Sequence, residues 1–76
     1  MITIHLSPTD HRFAATVRKF CASEMQRNPN LNGARITIEP GDHTYVDGAD
    51  ELVGASLLAG VCGAVQDARE RAGEDR

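Results

Sequence analysis

The sequence predicts a small α/β (α+β) domain whose elements follow one another in the order β-α-β-β-α. Short segments of alternating apolar residues at the start and middle of the chain indicate strands, and two longer segments with apolar residues at helical spacing indicate helices. Because the first two strands are joined through a helix, we expect them to be parallel neighbours. The expected sheet is three-stranded and mixed, with both helices on one face.

The first half of the chain predicts one strand and one helix. Strand 1 is expected where Ile2, Ile4 and Leu6 alternate with polar residues. Helix 1 is expected to begin with Ser7 as N-cap and with Asp10 completing a capping box. Its apolar stripe is Phe13, Val17, Phe20, Cys21 and Met25, its end is at Asn28-Pro29, and a turn follows at Asn32-Gly33.

The second half predicts two strands and a longer helix. Strand 2 is expected from the alternation of Ala34, Ile36 and Ile38, and strand 3 from residues 44–46. Because residues 40–43 have turn chemistry, we expect strands 2 and 3 to form a hairpin. Helix 2 is expected over residues 49–72, with Gly73 as its C-cap and residues 73–76 frayed.

Length and composition indicate one small folded domain, residues 1–76. The content of 41% hydrophobic and 25% charged residues is typical of a globular protein. The net charge of −3 argues against nucleic acid as the main partner. No uncharged run reaches the ~20 residues that cross a bilayer, so no membrane contact is expected. Two cysteines without a secretory signal predict a cytoplasmic setting.

The charges are distributed unevenly along the chain. Residues 1–35 contain five basic and two acidic residues, a net charge of +3, and residues 36–76 contain three basic and nine acidic residues, a net charge of −6. One interpretation is two solvated helix faces of opposite sign. The other is a head-to-tail contact, or an acidic surface that binds a basic partner.

Helix 2 has more uncharged surface than a surface helix requires. Its apolar stripe is Val53, Leu57, Val61, Ala64, Val65 and Ala68, and a second stripe consists of the small residues Ser56, Ala59, Gly60 and Gly63. Glycine inside a helix costs about 1 kcal/mol relative to alanine, so a compensating contact is expected. Either the glycines fit against helix 1 or the sheet, or the second stripe binds another protein or a second copy in a homodimer.

The face of the sheet opposite the helices is expected to be polar. His5, Arg35 and Thr37 alternate with the predicted core positions, and Tyr45 of strand 3 is placed with them. These four residues form a candidate polar site, the alternative being an ordinary solvated sheet face. The aromatic residues that stack on bases in an RNA-binding sheet are missing.

The sequence predicts neither an enzyme nor a protein with a bound cofactor. His5, His11 and His43 lack the spacing of zinc ligands, and the acidic residues of segment 42–51 do not match a calcium loop. No nucleophile elbow, phosphate-binding glycine loop or catalytic triad is present. We therefore expect no catalytic residue, no metal and no cofactor.

A candidate anion site lies at the start of helix 1. Ser7, Thr9 and His11 fall where unpaired backbone N–H groups can hold an anion. The segments Ile2-Thr3-Ile4 and His11-Arg12-Phe13-Ala14-Ala15-Thr16 resemble the opening of the histidine phosphocarrier proteins, over about a quarter of the chain. The resemblance implies a phosphorylated His11. The chain departs from the family at Phe13 and Ala14, where the family has arginine and proline, and it lacks the family's final strand and helix.

The leading hypothesis is a non-catalytic interaction protein, a regulator or inhibitor that binds and covers the surface of another protein. In size, acidity and lack of motifs the chain is similar to phage and mobile-element accessory proteins, including anti-CRISPR inhibitors. The alternative is a phosphocarrier-like or small-anion-binding domain that uses His11. A weaker third hypothesis is RNA binding through the basic residues of segment 12–35.

Overall fold

The elements of the protein follow the predicted order in the computed structural model, which describes residues 1–31 and 33–73. They are β1 (Ile2–Leu6), a 3-10 turn (Asp10–Phe13), α1 (Ala14–Arg27), a second 3-10 turn (Pro29–Leu31), β2 (Ile36–Pro40), β3 (Tyr45–Asp47) and α2 (Glu51–Ala72). Of the expected turn at Asn32-Gly33, only Gly33 is among the described residues, and its φ is +80°. Residues 74–76, which were expected to fray, also lie outside the described residues.

The three-stranded sheet has the order β2-β1-β3, so β1 is the central strand. It runs parallel to β2, as predicted, and antiparallel to β3, with His5 opposite Tyr45. The predicted hairpin between β2 and β3 is wrong. The N–H of Gly41 donates to the carbonyl of Leu6 at 2.8 Å, so β2 stays with β1 to the end of that strand. The chain then passes the end of β1, and β3 pairs with the opposite edge of β1.

Both helices pack on one face of the sheet, as predicted. Ile4 and Leu6 of β1 share a buried cluster with Val17 of α1 and Val61 of α2. A second cluster lies around Leu57 of α2. The buried hydrophobic residues are Ile2, Ile4, Leu6, Ala14, Val17, Cys21, Leu31, Leu57, Val61 and Val65. The core is thus built from aliphatic side chains at the alternating and helical positions that the sequence indicates.

The start of the first helical segment differs from the predicted capping box. Ser7 acts as a cap, because its Oγ accepts a hydrogen bond from the N–H of Asp10 at 3.2 Å. The carboxylate of Asp10 does not return the bond to Ser7. The N–H of Ser7 donates instead to Oγ1 of Thr44 at 3.0 Å. A long-range contact to the start of β3 therefore replaces the local half of the box.

The ends of α2 have regular caps. Oδ1 of Asp50 accepts a hydrogen bond from the N–H of Val53 at 2.8 Å and satisfies one of the unpaired donors of the first turn. Gly73 adopts a left-handed conformation, with φ of +75°, and is the predicted C-cap. No helix within residues 1–31 and 33–73 combines the length and the apolar character that a membrane crossing needs.

Candidate functional site

The outward face of α2 is uncharged over most of the helix. Residues 52–66 contain no charged side chain, a length of about 20 Å at 1.5 Å per residue. Leu52, at 80% exposure, is one of two large hydrophobic residues that are exposed in the described chain. We define the outer face of α2 as its exposed residues in this segment, which are Leu52, Ala55, Ser56, Ala59, Cys62, Gly63 and Gln66.

The four small residues predicted as a stripe on α2 have different environments, because one packs against α1 and three are exposed. Gly60 lies against α1, because a Cβ atom at this position would be 2.1 Å from Cζ of Phe20. A Cβ atom on Gly63 would have no neighbour within 4 Å. Ser56 and Ala59 are also exposed. Packing within the chain therefore accounts for Gly60, whereas the other three residues belong to the outer face of α2.

The open face of the sheet holds a stack of three rings. The imidazole of His5 lies on Tyr45, with ring centroids 4.3 Å apart and an interplanar angle of 9°. The ring of His43 lies 4.6 Å from the same Tyr45 ring, at 28°. His5 and Tyr45 were predicted on this face, and His43 was not. His43 lies two residues before Tyr45. Side chains with this spacing are on the same side of an extended segment, so the spacing could have predicted that His43 belongs to this face.

The remaining two residues of the predicted polar site do not join this stack. Oγ1 of Thr37 donates to Oγ1 of Thr3 at 3.4 Å, across the parallel pair of β1 and β2. Arg35 is exposed and comes just before β2, and its carbonyl accepts a hydrogen bond from the N–H of Ile2 at 2.8 Å. The predicted residues thus share a face without forming one pocket.

The predicted anion site has its backbone donors already engaged in part. Oγ of Ser7 and Oγ1 of Thr9 lie 3.3 Å apart. The N–H of Asp10 donates to Oγ of Ser7, and the N–H of His11 donates to the carbonyl oxygen of Ser7. Asp10 also places a carboxylate in this turn. The ring of His11 is exposed. The structure therefore brings the serine and the threonine together at a turn where the N–H groups of Asp10 and His11 are already used by Ser7.

A polar network connects this turn to β3 and α2. The carboxylate of Asp10 accepts from Oγ1 of Thr44 at 2.5 Å and from a guanidinium nitrogen of Arg69 at 2.6 Å. Both charged residues also line a cleft of about 410 Å³, with Cys62, Val65 and Gln66. Because Asp10 and Arg69 pair with each other, they connect the first 3-10 turn to the C-terminal part of α2. The sequence gives no signal for a contact between residues so far apart.

The two cysteines have opposite surroundings and are not bridged. Cys21 of α1 is buried, and Cys62 of α2 is exposed. Burial, and then the negative charge of Glu24, raises the pKa of the Cys21 thiol from its ordinary 9.0 to about 11. Cys21 therefore behaves as a small core residue, whereas Cys62 lies on the outer face of α2.

The described residues form no metal-binding cluster of histidine, cysteine, aspartate or glutamate side chains. The three rings of the sheet face are stacked on one another instead of converging on one point. Comparison of the chain with models of protein families, with curated proteins and with solved structures finds no match.

Proposed function

We propose that the protein is a non-catalytic interaction protein that binds a partner protein through the outer face of α2. The observation that supports this proposal is the uncharged, exposed segment 52–66 of that helix, with Leu52 at 80% exposure. A helix at the surface of a small domain is expected to be polar on the side away from the core. The outer face of α2 departs from that pattern, and exposed apolar surface of this kind marks interaction sites.

Small side chains favour a partner that approaches the helix closely. Ala59 and Gly63 are one turn apart on the outer face of α2 and leave its backbone accessible. No neighbouring atom within 4 Å of a Cβ at position 63 requires a glycine there, so packing within the chain does not explain its conformational cost. A partner helix or strand in close contact with the backbone would offset this cost.

Charged residues surround the outer face of α2 at both of its ends. Glu51 precedes it, and Asp67, Glu70 and Arg71 follow it, all exposed, with Asp67 paired to Arg71. An apolar centre with a polar rim is the usual arrangement of protein interfaces. The negative charges of Glu51 and Glu70 favour a partner with basic residues around an apolar contact. A protein of this kind would act as a regulator or inhibitor by covering its partner, as phage accessory proteins do, and its unbridged cysteines are compatible with the cytoplasm.

The experiment uses a photo-crosslinking amino acid at position 59 of the full chain, in the cells that encode it. We expect one predominant crosslinked protein, identified by mass spectrometry. Ala59→Arg places a charge at the centre of the outer face of α2 and should abolish co-purification of that protein. The matched control is Ser23→Arg, which adds the same charge to an exposed site on α1 and should leave co-purification unchanged.

Two results would overturn the proposal. One is a co-purifying protein that Ala59→Arg retains as well as the unmodified chain does. The other is the same crosslinked protein from position 59 and from position 23, because a contact that is independent of the helix face is not a binding site. Circular dichroism of both variants establishes that they are folded.

A further inference from the structure

β2 is an edge strand with one unpaired side. Its inner side pairs with β1, where the carbonyl of Arg35 accepts from Ile2 and the N–H of Gly41 donates to Leu6, both at 2.8 Å. Successive residues of a strand direct their backbone groups to opposite edges. Residues 35, 37, 39 and 41 therefore face β1, and the backbone N–H and C=O groups of Ile36 and Ile38 face outward.

The outward edge of β2 has only two available donors. At one end the N–H of Ala34 is used, because it donates to the carbonyl of Leu31 at 3.0 Å. At the other end Pro40 has no N–H group. The donors that remain on this edge are those of Ile36 and Ile38, so any strand that pairs here is limited to a short, defined register.

An apolar groove runs beside this edge, between β2 and α1. It has a volume of about 340 Å³, and its walls are mostly apolar, with Ile36, Thr37 and Ile38 from the strand and Arg18, Cys21, Ala22 and Met25 from the helix. Both isoleucines remain partly exposed, although they point to the helix side of the sheet. A strand that adds to β2 would therefore bury apolar side chains as well as satisfy backbone groups.

We propose that the occupant of this edge is β2 of a second copy, paired antiparallel about a two-fold axis at Thr37. In this register Ile36 of each chain lies opposite Ile38 of the other. Residues that are opposite each other in such a pair exchange both N–H···O=C bonds. Four backbone hydrogen bonds then use every outward donor of both edges, and the two sheets become one sheet of six strands.

Charge complementarity identifies the occupant as a second copy. The register at Thr37 places Arg35 opposite Glu39 of the second copy, and the same pair recurs on the other side of the axis. Both residues are exposed and lie on the open face of the sheet. Opposite charges in directly facing positions stabilise antiparallel pairs. In a register shifted so that Ile38 of one copy lies opposite Ile38 of the other, Glu39 would lie opposite Thr37 of the second copy. Both pairs of Arg35 with Glu39 would then be lost.

The proposed dimer is independent of the partner contact on α2. α1 packs on β2, whereas α2 packs on β3 at the far side of the sheet. The two-fold axis at β2 therefore leaves the outer face of α2 open in both copies. A dimer of this kind would present two identical binding faces on the same side of a continuous sheet.

Sedimentation equilibrium of the full chain tests the proposal. We expect a reversible dimer for the unmodified protein. Glu39→Arg places like charges opposite each other at both ends of the pair and should raise the dissociation constant by roughly tenfold. Arg35→Glu should have the same effect. The double variant Arg35→Glu/Glu39→Arg restores the two opposite-charge pairs in reversed order and should recover most of the affinity.

Ala59→Arg is the control for association through α2, and it should leave the dimer unchanged. A dimer that Ala59→Arg disrupts and that both charge variants retain would overturn the proposal in favour of self-association through the helix. A strict monomer, with no concentration dependence, would overturn it as well. So would a double variant that is as weak as either single variant, because rescue depends on the facing positions. In the first of these cases the crosslink at position 59 should join two copies of the chain, whereas the other two results leave crosslinking of a partner protein at position 59 unaffected.

Discussion

Gly60 of α2 lies against the ring of Phe20 of α1, which leaves no room for a larger side chain at position 60 while the ring stays in place. A Cβ atom there would lie 2.1 Å from Cζ of the ring and 2.8 Å from Cε1. The distance is well below any normal carbon–carbon contact, so either the ring or the helix would have to move. This contact sets how closely the two helices approach over the sheet.

Alanine at Gly60 and alanine at Gly63 of α2 should therefore have opposite effects on stability. Gly60→Ala should lower the free energy of unfolding by about 1–3 kcal/mol, because it overpacks the helix contact. Gly63→Ala should raise it by about 0.5–1 kcal/mol, since the site is open and alanine is the better helix former. Urea denaturation followed by circular dichroism measures both. Equal effects of the two variants would mean that Phe20 does not confine position 60.

Asp10→Asn should destabilise the protein by about 1–2 kcal/mol. The carboxylate accepts from Thr44 and Arg69, whereas asparagine has one acceptor oxygen in place of two and lacks the charge that pairs with Arg69. The control is Arg71→Gln, which removes the exposed ion pair with Asp67 and should cost about 0.5 kcal/mol or less. A cycle with Arg69→Gln isolates the coupling. A coupling energy near zero would contradict the structural role of the Asp10–Arg69 pair.

The two thiols should react with iodoacetamide at very different rates. Cys62 is exposed and should be alkylated first at pH 8, which mass spectrometry of peptides detects. Cys21 is buried, and its raised pKa leaves it as the unreactive thiol at this pH. In concentrated urea both should react equally. Alkylation of Cys21 in the folded protein at the rate of Cys62 would show that α1 opens readily.

The Cys21 thiol should also make stability depend on pH in the alkaline range. Its pKa is about 11 in the folded protein and about 9 in the unfolded chain, so the folded state retains the proton longer. The contribution is fully present below pH 9 and is lost as the pH rises towards 11. Cys21→Ala should have a shallower decline of stability across this interval. An unchanged decline in that variant would exclude this thiol as the cause.

The sequence predicts the elements of this fold better than it predicts their pairing. The apolar period places Ile4, Val17 and Val61 in the core, and local chemistry identifies the helix end at Gly73. The wrong hairpin arose because turn residues report only that the chain changes direction. They do not specify whether β3 returns to β2 or passes to the far side of β1, which depends on contacts such as Ser7 with Thr44.

The candidate sites show the same division between local and distant information. The uncharged outer face of α2 can be read from the helical period alone. The contact of Gly60 with Phe20 cannot, because it depends on how two helices cross. The stack of His5, Tyr45 and His43 joins β1 to the chain around β3, and it becomes visible only once those strands are known to be neighbours.

Because β3 is short, its free edge offers few backbone groups for pairing with a further strand. The strand is three residues long, ends in the exposed Asp47 and is followed by Gly48 with φ of +85°. In the proposed dimer, the sheet formed by residues 1–31 and 33–73 of the two copies has a β3 strand at each edge. Edges this short and charged are poor templates for another chain. A two-fold contact at β2 would therefore yield a closed particle, and fibril growth by strand addition would stop at both ends.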